Sequence, residues 1–352
     1  MAHLEESIFS KRYRGFCRVD WVGGTTDMWP LYCHMDHARV INMAISMSMN
    51  VEISLEKKAK FSLKVTSEDL AQKSKHISLA ALNNDIAKSV KQNSLRWVHR
   101  VAARSLEVAK VDSGAWSLSI KSDIPPGSGL GGSSVLGVTI AKAIFDFANY
   151  KVDMWDLHQM VHSLEAAEIE KPAGEQDYIP ALVGGFVSFS LCANSKEISH
   201  YSTELGEELA NRSALIHTGK PHHSGINNWD VFKKYHEGNK TVQKALLGVR
   251  DLAEEMHAYL LKGNVEAFIK AINKEWVLRK KLSKTFDAPV LQQAWNFAKK
   301  HGAIARKACG AGGGGALLVV FKNSSARDDA LLTKLPKKWM WLPLSLEEKG
   351  LY

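Results

Sequence analysis

Four stretches of the chain carry residue types that can do chemistry together: RVDWVGGTTD at 18–27, PPGSGLGGSS at 125–134, GEQD at 174–177 and CGAGGGG at 309–315. In the second, Gly127, Gly129, Gly131 and Gly132 let the backbone approach a ligand closely and adopt positive φ. A helical apolar spacing follows, so free N–H groups and a helix dipole would face an anion there. Ser133 and Ser134, at the mouth of that helix, could add hydroxyls to a phosphate or to its metal ion. The alternative is a plain glycine-serine turn. No lysine follows the glycines, as G-x-x-x-x-G-K-[ST] would require. Gly127, Gly129 and Gly132 have the G-x-G-x-x-G spacing, but Pro125 and Pro126 sit where a central parallel strand would end. Phosphoryl transfer needs a phosphate cradle, a metal held by carboxylate or hydroxyl, a group to orient or deprotonate the attacking hydroxyl, and a cation for developing charge. The four stretches hold a candidate for each.

The elements that must position these residues alternate between strand and helix. Gly15 to Val22 reads as a strand running into Gly23, Gly24, Thr25, Thr26 and Asp27. From Ile41 to Glu56 apolar and polar residues alternate, with Ala44 the one small exception, which predicts one long strand, straight or bent, with one face buried. Ser78 to Val108 is helical in character, with Leu82, Ile86, Val90, Leu95, Val98, Val101 and Ala102 inward. Trp116 to Lys121 is a half-buried strand leading into the glycine loop, and Val135, Val138, Ala141 and Ile144 mark the helix after it. A second amphipathic helix spans Trp155 to Glu170 and stops before Pro172; Gly184 to Leu191 is a strand. The polar, irregular run from Asn194 to Glu208 places a domain boundary, giving 1–200 and 201–352. Beyond it lie a strand at Arg212 to Thr218, a helix at Thr241 to Leu261, a helix opened by Pro289 and ended at Gly302, and strands at Leu317 to Phe321 and Trp339 to Leu344. Such alternation argues for α/β or α+β layers.

Composition narrows the function classes. The 352 residues are 45% hydrophobic, enough for real cores in two domains. The net charge of +9 suits an anionic ligand, but the lysines and arginines are scattered, which argues against a nucleic-acid partner. Cys17, Cys33, Cys192 and Cys309 are far apart and fit neither a zinc pattern nor a disulfide framework, so reduced thiols are expected. The first residues lack an apolar signal-peptide core, and no run approaches the ~18 apolar residues of a spanning helix. The expectation is a cytoplasmic protein with no membrane partner, monomeric or homodimeric.

With these residues in view, PPGSGLGGSS resembles the P-x-x-x-G-L-G-[ST]-S motif of the GHMP kinases, the family named for galactokinase, homoserine kinase, mevalonate kinase and phosphomevalonate kinase. CGAGGGG resembles that family's C-terminal motif, and RVDWVGGTTD its N-terminal substrate motif as found in kinases of heptose phosphates and L-fucose. The three occur in the family's order and separations. The resemblance implies an α+β, two-domain GHMP kinase architecture: an N-terminal domain like ribosomal protein S5 domain 2 and a ferredoxin-like C-terminal domain. It implies an ATP- and Mg2+-dependent kinase of a small-molecule sugar or sugar phosphate.

Roles carry over position by position. Pro126, Gly127, Ser128, Gly129, Leu130, Gly131, Gly132, Ser133 and Ser134 match the ATP loop, and Ser133 matches the magnesium-ligating serine. Gly132 stands where the motif often has Ser or Thr, which leaves Ser133 and Ser134 both open. Asp177 matches the catalytic base. Glu165, 12 residues upstream, matches the metal-binding carboxylate, with Glu168 as rival and a solvated helix face as the plain reading of both. For Asp177 the plain reading is a turn or capping residue. Arg18, nine residues before Asp27, would lower the Asp177 pKa or stabilise the transferring phosphoryl group. Asp27 matches the acceptor for sugar hydroxyls, since a carboxylate offers two acceptor oxygens, and Gly23, Gly24, Thr25 and Thr26 complete that segment. Gly312 and Gly313 are assigned to the substrate side, packing against it.

The stretch HTGKPHHSGINNWD at 217–230 resembles the TG-x-x-R-x-S segment of heptose-phosphate kinases, with His222 and His223 near the expected arginine. Neutral histidines clamp phosphate less well than arginine, and an exposed polar loop is the alternative. His34, Asp36 and His37 have no zinc-type spacing and are read as structural. Two other functions stand beside sugar phosphorylation: a family kinase of a non-sugar alcohol such as a mevalonate-like acid, and a non-catalytic member that binds a small molecule or a partner.

Overall fold

A computed structural model describes residues 8–89, 95–220, 224–310 and 312–352. The first strands are β1 (Ile8–Val22) and β2 (His37–Glu56), paired antiparallel along most of their length. The pairing slips between Phe16 and Arg18 and again between Asp20 and Val22, and such irregularities re-aim side chains. Next come the hairpin β3 (Ser62–Ser67) and β4 (Gln72–His76), the helices α1 (Leu79–Lys88) and α2 (Arg96–Val108), and β5 (Ala115–Ser122). The helical stretch expected over 78–108 is thus two helices; Val90 lies outside the described residues. After β5 the chain forms α3 (Gly132–Phe147), α4 (Met154–Ile169), the short α5 (Ile179–Val183), β6 (Phe186–Cys192) and β7 (Lys196–His200).

The second half begins with α6 (Thr203–Asn211) and β8 (Ser213–His217). Then follow α7 (Ser224–His236), α8 (Lys240–Leu261), α9 (Val265–Leu282) and α10 (Pro289–Lys300), with Pro289 in the first turn of α10 as expected. The chain ends with β9 (Ala303–Ala308), β10 (Ala316–Phe321), α11 (Ser324–Leu331) and β11 (Met340–Leu342). The irregular run expected before the second half is instead β7 and α6, whose start is capped by the Ser202 hydroxyl accepting from Leu205 N. Hairpin β3–β4, helix α9 and strand β9 had no counterpart in the sequence reading.

Among the described residues the strands form two sheets. The first has seven strands in the order β4-β3-β5-β2-β6-β7, with β1 along β2. The second is antiparallel with order β11-β8-β10-β9, so its strands lie as 4-1-3-2, the ferredoxin-like arrangement. Strand β2 is the hub. One edge carries β1; the other carries β6 along its first part and β5 along its last. The gap between them is filled by the C-terminal tail: Ser46 N donates to Ser345 O at 3.1 Å and Glu347 N to Ala44 O at 3.0 Å. Buried backbone groups left open there would be costly.

The expectation that only one face of β2 is buried fails in its middle, because both α3 and α8 pack against the strand. Its polar members Asn42 and Ser48 are fully buried. Asn42 donates to Gln176 O at 3.3 Å and Ser48 Oγ to Asp123 Oδ2 at 2.6 Å. One continuous apolar core joins residues from both sheets, from Tyr13 and Met43 to Ile272 and Leu318. The four cysteines are free thiols, and no described helix is long and apolar enough to cross a membrane.

Candidate active site

A cavity of about 450 Å³ opens where the loop after β5 meets the start of α3, and residues of all four motif stretches line it. Glycines 127, 129 and 131 have φ of 67°, 81° and 83°. Gly131 is also the cap residue of α3 and supplies no side-chain acceptor, so the first N–H groups of a 16-residue helix are left for a ligand. A Cβ on Gly131 would stand 3.4 Å from Asp177 Cβ. Gly127, Ser128, Gly129, Gly131, Gly132, Ser133 and Ser134 all line the cavity with Pro126; Leu130 is buried behind it.

Arg18 projects from β1 at the register shift and meets Asp177. Its Nε and Nη2 both donate to Asp177 Oδ1, at 3.0 and 2.6 Å, and Nη1 donates to Gly129 O at 2.7 Å. Arg18 is 2% exposed. Burial works against its charge, but Asp177 and Asp20 outweigh it and hold its pKa above the ordinary value. Among the described residues no hydrogen bond reaches Asp177 Oδ2, on a side chain that lines the cavity. Burial pushes the nearby Cys17 and Cys309 thiols up to about 12, so neither is a thiolate nucleophile.

Glu165 and Glu168 are three residues apart on α4 and go to different places. Glu165 lines the cavity, and its Oε2 accepts from Ser134 Oγ at 2.6 Å and Tyr178 Oη at 2.5 Å. Burial raises its pKa, with those hydrogen bonds working the other way. Glu168 faces away and pairs with Arg96 and with Arg100 Nε at 2.8 Å. Of the two serines, Ser134 is buried on Glu165 and Ser133 is exposed at the loop mouth. A hydroxyl and a carboxylate are hard oxygen donors of the kind Mg2+ takes. Glu165, with the two serines beside it at the cavity wall, offers such donors to a divalent cation.

On the opposite side Thr25 and Asp27 line the cavity, while Gly23, Gly24 and Thr26 shape the turn beneath. Thr26 Oγ1 donates to Gly23 O at 2.5 Å. Asp27 Oδ2 accepts from Gln176 N at 3.0 Å, and among the described residues Asp27 Oδ1 is buried without a partner. Burial lifts the Asp27 pKa to about 7, with the Gln176 N–H opposing and Asp177 and Asp20 adding to the rise. Gly312 and Gly313 are not part of the cavity wall. They pack on the segment after α9, where Gly313 N donates to Thr285 O at 2.8 Å and a Cβ on Gly312 would stand 2.9 Å from Phe286. The second glycine loop reaches the cavity through Gly310 and abuts the first loop through Gly315, where a Cβ would stand 2.7 Å from Ser128 O. His222, His223 and Ala311 lie outside the described residues.

These observations set the comparisons in place. Residues 95–185 match the GHMP kinases N terminal domain and residues 256–338 the GHMP kinases C terminal domain. The chain belongs to the GHMP kinases. It is 26% identical over 201 residues to a D-glycero-alpha-D-manno-heptose 7-phosphate kinase of Campylobacter jejuni, a match covering 56% of this chain and 59% of that one. It is 24% identical over 312 residues to a bifunctional fucokinase/GDP-fucose pyrophosphorylase of Arabidopsis thaliana, covering 87% of this chain and 29% of that one. Each match thus spans less than two thirds of the relative. The galactokinase of Lactococcus lactis, solved with galactose, superposes with a TM-score of 0.75 at 16% identity, covering 97% of this chain and 94% of that one, which shows the shared two-domain α+β fold.

The chain also places at the site residues that no motif marked. Arg279, on α9, donates to Gly24 O at 2.5 Å and Gly310 O at 3.0 Å, clamping the turn after β1 to the second glycine loop. Behind it Lys307 Nζ lies 2.5 Å from Glu275 Oε1 and 3.4 Å from Asp20 Oδ2, all three side chains being buried. Glu175 is fixed by Tyr32 Oη at 2.8 Å and by Lys196, which holds the GEQD segment. Val265, Phe268, Ile269, Ile272 and Trp276 recur at helical spacing, so α9 itself was readable; nothing marked Arg279 as inward.

The Asp27 carboxyl gives a pH signature. In the unfolded chain it ionises near pH 4, whereas in the native state it keeps its proton to about pH 7. The native state therefore binds more protons across that window, and stability falls as pH rises through it, by up to about 1.4 kcal/mol per unit. Asp27→Asn removes this fall in the ligand-free protein, so urea unfolding at pH 5 and pH 8 should show the variant gaining on the parent at the higher pH. Parallel stability curves for the two proteins contradict the burial argument.

Proposed function

We propose that this chain transfers the γ-phosphoryl group of ATP to a hydroxyl of a sugar or sugar phosphate. The observation that carries this reading is the Arg18–Asp177 pair at the lip of the glycine loop, in a cavity that Asp27 also lines. Asp27, with Thr25, orients the acceptor by taking hydrogen bonds from its hydroxyls. The wall around Asp27 already carries Asp20 and Asp177, and a mevalonate-like acid would add its negative charge to theirs, which favours a neutral polyol at that point. Asp177 offers Oδ2 to the attacking hydroxyl, orients it and takes its proton as the new O–P bond forms. The bond from the γ-phosphorus to the bridging oxygen breaks, and ADP leaves with that electron pair. Arg18 keeps Asp177 in place and adds positive charge beside the reacting groups. The N–H groups at the start of α3 and the loop glycines cradle the phosphates.

Ser133 and Glu165 are the residues assigned to Mg2+, with Ser134 holding the Glu165 carboxyl. When bound, the ion neutralises phosphate charge. In this reading residues 1–200 carry nucleotide and catalysis, and residues 201–352 close the site through Arg279 and the second glycine loop.

The test is ADP release with Mg-ATP across galactose, L-fucose, mannose and heptose 7-phosphate. A strong response to one of them, abolished by omitting ATP, supports the reading; nucleotide binding with no response to any sugar overturns it. Asp177→Asn should lower kcat by on the order of 10² or more and leave ATP affinity nearly intact. Unchanged turnover would remove Asp177 from the mechanism. Ser133→Ala should raise the Mg2+ concentration needed for half-maximal turnover, and an identical Mg2+ dependence would reassign the ligand.

A further inference from the structure

Outside the cavity, three side chains from three elements converge. His76 ends β4, Asp85 lies on α1 and His99 sits in the first turns of α2. Asp85 Oδ2 is 3.3 Å from His76 Nε2 and 3.2 Å from His99 Nδ1, and the three atoms all lie within 4.8 Å of one another. His76 is 9% exposed and His99 1%. The rings meet edge-on with centroids 4.8 Å apart.

We propose that His76, Asp85 and His99 bind a divalent metal ion of the zinc class. Two imidazoles and one carboxylate, with a fourth position left for water, form a donor set that zinc takes. Tetrahedral bonds of about 2.0–2.1 Å put neighbouring ligand atoms roughly 3.3 Å apart, which is the spacing of Asp85 Oδ2 from each ring nitrogen. A hydrogen bond accounts for the His76 contact, with Nε2 3.3 Å from Asp85 Oδ2, but not for the His99 contact. His99 Nδ1 is buried without a hydrogen-bond partner although the carboxylate is 3.2 Å away, so the ring does not aim an N–H at that oxygen. Its other nitrogen is engaged, with Nε2 2.7 Å from Ser74 Oγ, the outer partner that fixes the ring of a metal-bound histidine. The Asp85 side chain is 41% exposed and gives the ion a way in.

The site would tie β4 to α1 and α2. That matters because Leu95 and Val98, at the start of α2, and Ser67, Asp69 and Leu70, at the end of β3 and in the turn after it, line the cavity wall. The ion would brace that wall from behind and take no part in the chemistry.

The test uses the full chain, stripped with a chelator and titrated with Zn2+ against a chromophoric competitor, with Co2+ as a spectroscopic substitute. The parent should take up an ion that gives the intense visible absorption of four-coordinate Co2+ and raises the melting temperature. Asp85→Asn and His76→Ala should weaken Zn2+ binding at least tenfold and remove the Co2+ band; Ser74→Ala should weaken it by about tenfold or more. His34→Ala, elsewhere on the surface, should bind as the parent does. If the histidine variant does not fold, Asp85→Asn, at a part-exposed position, carries the comparison. Absence of the band in the parent, or equal affinity in parent and Asp85→Asn, overturns the proposal.

Discussion

The site depends on one ion pair, between a buried guanidinium and a carboxylate that faces the cavity. Arg18 arises from the first strand and Asp177 from the segment before α5, and both guanidinium bonds fall on a single carboxylate oxygen. The remaining Arg18 nitrogen holds the carbonyl of Gly129. One side chain thereby joins the central sheet, the glycine loop and the GEQD segment. A charge pair of this kind adds little net stability compared with apolar packing, yet removing one partner strands the other, so the geometry is strongly constrained. Among the described residues, the other oxygen of Asp177 takes no hydrogen bond.

A second set of charges lies one layer deeper and links the two sheets. Asp20 on β1, Glu275 on α9 and Lys307 on β9 meet with their side chains buried, and Arg279 stands beside them at 3.7 Å from Glu275. Arg279 stacks over Phe286 and holds two backbone carbonyls, one from the turn after β1 and one from the second glycine loop. Glycine is needed where these backbones touch. At Gly315, φ is 75° and a side chain would strike the first loop. The cavity walls are thus positioned by contacts between the halves of the chain, and the continuous core beneath them fits that arrangement.

Much of this was legible before any contact was known. The alternation along β2, the strand–loop–helix order around the first glycine loop, and the motif order that marks the GHMP kinases are local or collinear patterns. Backbone sterics and periodic burial write such patterns directly into residue order. Even so, the alternation predicted one buried face, because periodicity records a strand's pleat and not how many layers pack on it.

What residue order determined by itself was the set of chemical groups: glycines able to take positive φ, two serines at a helix mouth, the carboxylates Asp27, Glu165, Glu168 and Asp177, and Arg18. What only the tertiary structure decided was which of them face one cavity. Glu165 and Glu168 are alike in type and nearly alike in position, and the rotation of α4 against α2 and α3 sends one to Ser134 and Tyr178 and the other to two arginines. Nothing in the residue order marks Arg279 and Lys307, and the fold buries them against Glu275 and Asp20. Burial and partner choice depend on residues far apart in the chain, and no local spacing encodes them.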